Sequence, residues 1–160
     1  MAVRKFIFQE EESLHYHLLA IHTVLIDYRL AFFLNKHLNI ELKRAFNDLD
    51  ISGQNGFYSF FHFEDEDNLL NWNLISNSSH TSVRNEIKES QLFKNTEVEL
   101  KKYKLMNELS QVDFFLKIEY HTDYINTNQI IKSIKEIPNI ISVHKLNLKN
   151  IKNKVNLNFS

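Results

Sequence analysis

The most regular hydrophobic pattern in the chain lies between Lys102 and Glu119, where apolar and polar residues alternate along two short runs. A period of two is typical of a strand with one buried face. The pattern predicts a β-hairpin in which one side of the second strand is apolar. That side consists of Val112, Phe114, Leu116 and Ile118, and the polar turn before it contains Glu108, Ser110 and Gln111.

An apolar stretch nearer the amino end predicts one long helix from about Leu14 to about His37, because neither glycine nor proline interrupts it. With about 3.6 residues per turn, its apolar residues cover about half of the circumference. Four charged or titratable residues recur at intervals of seven, which drift by only about 20° per step. They are His15, His22, Arg29 and Lys36, and two of them, His22 and Arg29, fall inside the apolar arc.

An arginine among apolar neighbours keeps its charge, so Arg29 needs an acidic or carbonyl partner unless its stem lies along the core and its head reaches water. Alternation directs Asp113 away from Val112 and Phe114, so Glu108 is the predicted partner. The alternative is that Arg29 and His22 line a pocket for an anionic ligand. The predicted polar cluster, structural or ligand-binding, is Arg29, His22, Glu108 and Asp113.

The remaining segments predict a mixed fold. Before the first hairpin, Phe57 to Glu64 and Leu69 to Ser76 predict a second one, joined by an acidic turn. The polar segment 77–99 predicts a long mobile loop. Shorter elements are predicted at the edges: a strand at Val3 to Phe8, a strand at Glu41 to Leu49, a turn at Ser52 to Gly56, and a peripheral tail at 149–160.

The carboxy-terminal part predicts a strand–helix–strand unit. Asn126 to Ile137 has isoleucines on one helical face and ends before Pro138, and Ile140 to Leu146 then reads as a strand. A crossover of this kind makes the strand after the motif turn and the last strand parallel, with room for another strand between them. The fold class predicted is α+β: a mostly antiparallel sheet packed against a long N-terminal helix and a shorter C-terminal helix, in a single domain spanning 1–160.

Composition narrows the functional classes. The chain has 160 residues, 43% hydrophobic and 24% charged, which is typical of one globular domain. A net charge of -1 provides no overall field for nucleic acid or anionic lipid. With no cysteine, disulfides and thiolate chemistry are excluded. No signal peptide is visible in the first twelve residues, and charged residues interrupt the apolar run from Leu18 to Leu38, so we expect a cytoplasmic protein without a membrane partner.

No catalytic motif is present. The histidines lack the HExxH spacing, His62 and Glu64 form an H-x-E pair without the cysteines of a zinc deaminase, and no glycine-rich phosphate loop occurs. The acidic turn Glu64 to Asp67 lacks the glycine and the length of a calcium loop. We therefore assign no catalytic residue, no metal and no cofactor.

The segment Met106 to Phe114, MNELSQVDF, is similar to the signature of a family of small bacterial proteins named IPExxxVDY. Glu108, Val112 and Asp113 match that signature, whereas Met106, Asn107 and Phe114 stand where it has Ile, Pro and Tyr. A DYRL-type helix and a W-x-L-I-x-N strand of the family are also matched. The residues are Asp27 to Leu30 with Asn35, and Trp72, Leu74, Ile75 and Asn77. The resemblance covers most of the chain and implies no assigned activity.

Three functions fit these observations. The first is a non-enzymatic interaction or scaffold domain, with a protein partner or a second copy of itself. The alternative is a small-ligand regulatory domain with Arg29 or His22 as the anion contact, because the Phe114 to Leu146 unit is similar to half of an ACT-type domain. The third is an RNA-associated role, which requires exposed aromatic residues beside one lysine face. Its lysines would be Lys145, Lys149, Lys152 and Lys154.

Overall fold

The computed structural model describes residues 15–50, 57–79, 103–121 and 125–152. The predicted strand at Val3 to Phe8, the turn at Ser52 to Gly56, most of the 77–99 loop and the end of the tail lie outside these ranges. Within them the chain forms two α-helices, two 3₁₀ turns and eight strands. In order these are β1 (Tyr16–Thr23), α1 (Asp27–Leu38), β2 (Lys43–Arg44), β3 (Leu49–Asp50), β4 (Phe57–Tyr58), β5 (Phe60–Asp65), β6 (Leu70–Ser76), a first 3₁₀ turn (Asn107–Leu109), β7 (Phe114–Tyr120), α2 (Thr127–Lys135), β8 (Ile140–Lys145) and a second 3₁₀ turn (Leu148–Asn150).

Six of the described strands form one antiparallel sheet in the order β2-β5-β6-β7-β1-β8, and β3 and β4 form a separate pair. Strand β1 pairs antiparallel with both β7 and β8. The strands on either side of α2 are therefore parallel to each other with one strand between them, as predicted. The predicted hairpin of β5 and β6 is also confirmed. The α+β class is correct.

Both faces of this sheet are covered. On the helix face, α1 and α2 pack through Leu30, Leu34 and Ile134 against strand residues such as Leu19 and Leu116. On the opposite face, called the loop face, the segment 105–112 and the second 3₁₀ turn cover the sheet. The apolar residues buried there include Leu18, Ala20, Tyr58, Ile75, Leu105, Met106, Val112, Phe115 and Ile151. No helix in the described ranges is both long and apolar enough to cross a membrane.

The predicted helix from Leu14 to His37 is wrong in its first half. Tyr16–Thr23 is a central strand, and the helix proper begins only at Asp27. Strand β1 lacks regular alternation because both faces of the sheet are covered, and four consecutive residues, Leu18 to Ile21, are buried. A strand of this kind is as continuously apolar as a core helix.

The predicted hairpin between Lys102 and Glu119 is wrong in its first arm. Its second arm is β7, which pairs with β6 and β1. The first arm instead runs beside the residues that follow β6: Ser79 donates from its backbone to the carbonyl of Tyr103, and Leu105 donates to that of Asn77. The polar turn contains the first 3₁₀ turn and folds over the loop face.

Candidate functional site

The motif turn is held by one buried amide side chain. Asn77 follows β6 and is fully buried. Its Nδ2 donates to the carbonyl oxygens of Leu109 (2.9 Å) and Val112 (2.8 Å), and its Oδ1 accepts from the amide of Met106 (2.9 Å). Its backbone amide donates to the carbonyl of Asp113 at 2.9 Å. One side chain thus bonds to the start, the middle and the end of the turn.

Asp113 connects the end of this turn to the end of β1. Its amide donates to the carbonyl of Ile21 at 3.1 Å, and its Oδ2 accepts from the amide of Thr23 at 2.9 Å. The hydroxyl of Thr23 in turn donates to the carbonyl of Asn139 at 2.8 Å, in the turn before β8. The same hydroxyl accepts from the amide of Leu25 at 3.0 Å, where the chain leaves for α1. Asp113 therefore has a structural role at a junction of three elements.

Arg29 is exposed on α1, contrary to the prediction that it lies inside an apolar arc. Glu108 lies on the loop face, where its Oε1 accepts from the amide of Lys152 at 3.1 Å. The Arg29–Glu108 ion pair is therefore not formed. The error follows from the helix prediction, because shifting the helix start to Asp27 changes which residues face the sheet. Leu30, Ala31 and Leu34 face it instead.

His22 and Glu108, unlike Arg29, do come together. They line a surface cavity of about 370 Å³ on the loop face, with His144 from β8 and with Ser110 and Gln111 from the motif turn. The rings of His22 and His144 meet edge to face with centroids 6.3 Å apart. Among the described residues, no group of three or more histidine, aspartate or glutamate side chains is arranged to hold a metal ion.

The outward side of α1 is unusually apolar and basic. Tyr28 and Phe32 are each 62% exposed, and Arg29 and Lys36 are exposed beside them. With about 3.6 residues per turn, these four positions fall within about 100° of the helix circumference. We call the set Tyr28, Arg29, Phe32 and Lys36 the α1 outer face.

A second cavity, of about 440 Å³, lies where the start of β1 meets the end of β7 and the segment after β8. His17 and Tyr120 stack in its wall, with ring centroids 4.9 Å apart and an interplanar angle of 24°. Lys145 and Lys149 also line it. We call it the His17 cavity.

Burial lowers the pKa of His17 below its ordinary value, and the charge of Lys145 lowers it further. A histidine whose folded-state pKa lies below the unfolded value stabilises the fold above the unfolded value, about 6.5, and loses that contribution as pH falls through the folded value. We therefore expect wild-type stability to fall between pH 7.5 and pH 5.5 more steeply than that of His17→Gln, measured by urea unfolding at both pH values. The exposed His62 provides the matched control, since His62→Gln should follow the wild type; equal slopes for all three would contradict this pKa assignment.

Sequence reasoning missed two features of these sites. Lys117 alternates with apolar residues and so reads as solvent-facing, yet it is only 4% exposed. Tyr120 follows the predicted strand and gave no signal of its own. The available signal is the presence of aromatic residues on both sides of β5, which is typical of a sheet covered on both faces and applies to the neighbouring strands as well.

Comparison of the chain with protein-family models, with curated proteins and with solved structures finds no match.

Proposed function

We propose that this chain is a non-enzymatic interaction domain that docks an acidic protein segment on the α1 outer face. The observation that carries the proposal is the pair of aromatic rings, Tyr28 and Phe32, each 62% exposed one helical turn apart. The inward side of α1 already buries Leu30, Ala31 and Leu34, so the fold does not need these two rings for its core. Exposed aromatic residues with an adjacent arginine are the composition typical of interface hot spots.

The positive charge of the α1 outer face indicates an acidic partner. The α1 outer face carries Arg29 and Lys36 and no carboxylate. The acid nearest in sequence, Asp27, lies on another side of the helix and is engaged by Arg44 at 3.2 Å. A partner that presents acidic residues around an apolar centre therefore complements this face. Two cations in a chain of net charge -1 are too few for strong binding to the phosphates of a nucleic acid.

The sheet edges support the helix face as the docking surface. At one edge β2 has only two residues, Lys43 and Arg44. At the other edge, β8 ends in Lys145, and its pairing with β1 is irregular between His22 and Thr23. Short strands, lysines and bulges are the features that discourage strand addition. A partner that docks through side chains fits this architecture better than one that adds a strand.

The experiment begins by locating the contact. The photo-crosslinking residue p-benzoylphenylalanine replaces Phe32 in cells. As the control it replaces Ile141, an apolar residue on β8 that is slightly more exposed than Phe32. We expect a discrete protein adduct from position 32 and none from position 141. The captured protein is then purified and its binding to the intact chain measured by calorimetry. Phe32→Ser and Arg29→Glu should each weaken binding by at least about tenfold, as expected for hot-spot residues.

The matched control for charge is Lys132→Glu, which reverses an exposed cation on α2 and should change the affinity by no more than about twofold. Higher salt should weaken wild-type binding and leave the residual binding of Arg29→Glu less affected. The proposal is wrong if Phe32→Ser binds as tightly as the wild type, or if the adduct is a nucleic acid. An adduct with a second copy of the chain would replace the acidic partner by self-association.

We also propose that the chain belongs to the IPExxxVDY family and is cytoplasmic. The family assignment is supported by the structural tasks of most residues that carry the resemblance: Asn77 and Asp113 hold the motif turn, and Asn35 exchanges two hydrogen bonds with the backbone of Leu42. Tyr28 and Arg29 belong to the same matched set, but within the described residues their side chains form no hydrogen bond or ion pair. A binding role accounts for these two.

A further inference from the structure

We propose that the His17 cavity is a binding site for a nucleoside monophosphate, a planar aromatic ring joined to a phosphate. This site is separate from the α1 outer face, and none of the α1 residues lines it. The proposal rests on three properties of the wall: two stacked aromatic side chains, two lysines, and the lack of a carboxylate among the described residues that form it.

The aromatic half of the site is already ordered. His17 and Tyr120 lie on adjacent antiparallel strands, and their rings are stacked at a centroid spacing typical of favourable aromatic pairs. Both rings are half-buried and face the cavity. A ring that enters the cavity therefore meets a preformed stacking surface and orders few side chains on binding.

The charged half of the site comes from the end of β8 and the segment after it. Lys145 ends β8, and Lys149 lies in the second 3₁₀ turn, which Asn147 holds by accepting from the amide of Lys149 at 3.1 Å. Glu119 of β7, which pairs in register with Tyr16 of the cavity wall, is engaged by Lys117 at 2.6 Å. Lys145 and Lys149 are thus left facing a cavity whose described wall is without a counter-ion. A phosphate is the group that would satisfy both ammonium groups at once.

Size is consistent with this class of ligand. A cavity of about 440 Å³ lies in the range of small-molecule sites, and its wall is mainly apolar with few polar groups, which is the usual composition of such sites. Two of the four lysines that a role in RNA binding would require, Lys145 and Lys149, are brought together here beside aromatic rings. One ring and one phosphate are what this cavity accommodates.

The test is a titration of the intact chain with AMP. Calorimetry measures the affinity, and NMR of the His17 imidazole reports binding at the cavity. Adenosine and inorganic phosphate are the two partial probes. We expect AMP to bind at least about tenfold more tightly than either partial probe. Adenosine lacks the charged hydrogen bonds to the lysines, and inorganic phosphate lacks the ring that stacks. AMP should also raise the apparent pKa of His17, since a nearby anion favours the protonated imidazole, whereas adenosine should not.

Variants separate the two halves of the site. The double change Lys145→Gln and Lys149→Gln should weaken AMP by about tenfold or more and leave adenosine unchanged, and Tyr120→Leu should weaken both. Lys43→Gln, at the opposite edge of the sheet, is the matched control and should leave AMP binding unaltered. Circular dichroism spectra confirm that each variant is folded before its affinity is compared.

Three results would overturn the proposal. One is wild-type protein that shows no response of His17 at millimolar AMP. Another is inorganic phosphate reproducing the full AMP response, which would remove the aromatic ring from the ligand. The last is a single-stranded oligonucleotide binding at least about tenfold more tightly than AMP, which would make the cavity part of a nucleic-acid surface.

Discussion

Asn77→Ala is expected to destabilise the fold by about 3–5 kcal/mol, a large fraction of the total stability of a domain of this size. The side chain is fully buried and makes three hydrogen bonds to the motif turn. Its removal leaves two carbonyls and one amide of the turn without that partner, and each unsatisfied buried group costs about 1–3 kcal/mol. Urea unfolding followed by the fluorescence of Trp72, the single tryptophan of the chain, measures the change.

The matched control is Asn71→Ala, in β6, the strand that Asn77 directly follows. Asn71 is half-buried, and its side chain forms no hydrogen bond with the described residues, so this variant should lose less than about 1 kcal/mol. Asn77→Asp is the second variant: it keeps an acceptor for the amide of Met106 but turns a carboxylate oxygen toward two carbonyls. We expect it to be at least as unstable as Asn77→Ala. Equal stability of Asn77→Ala and Asn71→Ala would show that the turn is held by its apolar residues alone.

The carboxy-terminal half of the fold could be predicted from sequence because its signals are local. The amphipathic period of α2, the proline that follows it and the apolar β8 lie within about twenty residues. Asn126 caps the helix by accepting from the amide of Gln129 at 3.1 Å, a short-range contact of the usual kind. The crossover rule then correctly left room for β1 between β7 and β8.

The amino-terminal error has a physical cause. A run of apolar residues without glycine or proline is compatible with a buried strand or a core helix, and periodicity does not separate them. The break between the two elements depends on Thr23, whose hydroxyl is bonded to Leu25 and Asn139. Asn139 is distant in sequence, so its part in ending β1 was invisible. Arg29 was misplaced as a direct consequence.

The outcome of the site predictions also depended on contacts between segments that are distant in sequence. His22 and Glu108 share a cavity because β1 lies under the motif turn, a fact about topology that the pattern of residues does not contain. The first arm of the predicted hairpin has a suitable alternation, but Asn77 and Ser79 supply its partner from a separate part of the chain. Alternation indicates that a segment is extended and leaves its neighbour undetermined.

Glu119→Gln is expected to cost about 2–3 kcal/mol, near or just below the range for breaking a fully buried ion pair, because the Glu119 side chain is still 28% exposed. Lys117 is buried on the loop face, with its Nζ 2.6 Å from the Glu119 carboxylate and 4.7 Å from the centre of the Tyr16 ring. Removing the carboxylate charge deprives a desolvated ammonium group of a counter-ion in direct contact with it. Lys117→Met, in contrast, removes the cost of burying the charge and keeps a similar volume, so we expect a change of less than about 1 kcal/mol or a gain in stability.

The diagnostic result is that Glu119→Gln destabilises the fold much more than Lys117→Met. Urea unfolding of the two single variants, and of the double variant that carries both changes, measures this difference. In the double variant the cost of Glu119→Gln should largely disappear, because no buried charge remains to be compensated. Glu64→Gln, at an exposed position on β5, is the control and should be neutral within about 0.5 kcal/mol. If Lys117→Met proved as damaging as Glu119→Gln, the ion pair would be a net source of stability, and the desolvation of Lys117 would be smaller than its burial implies.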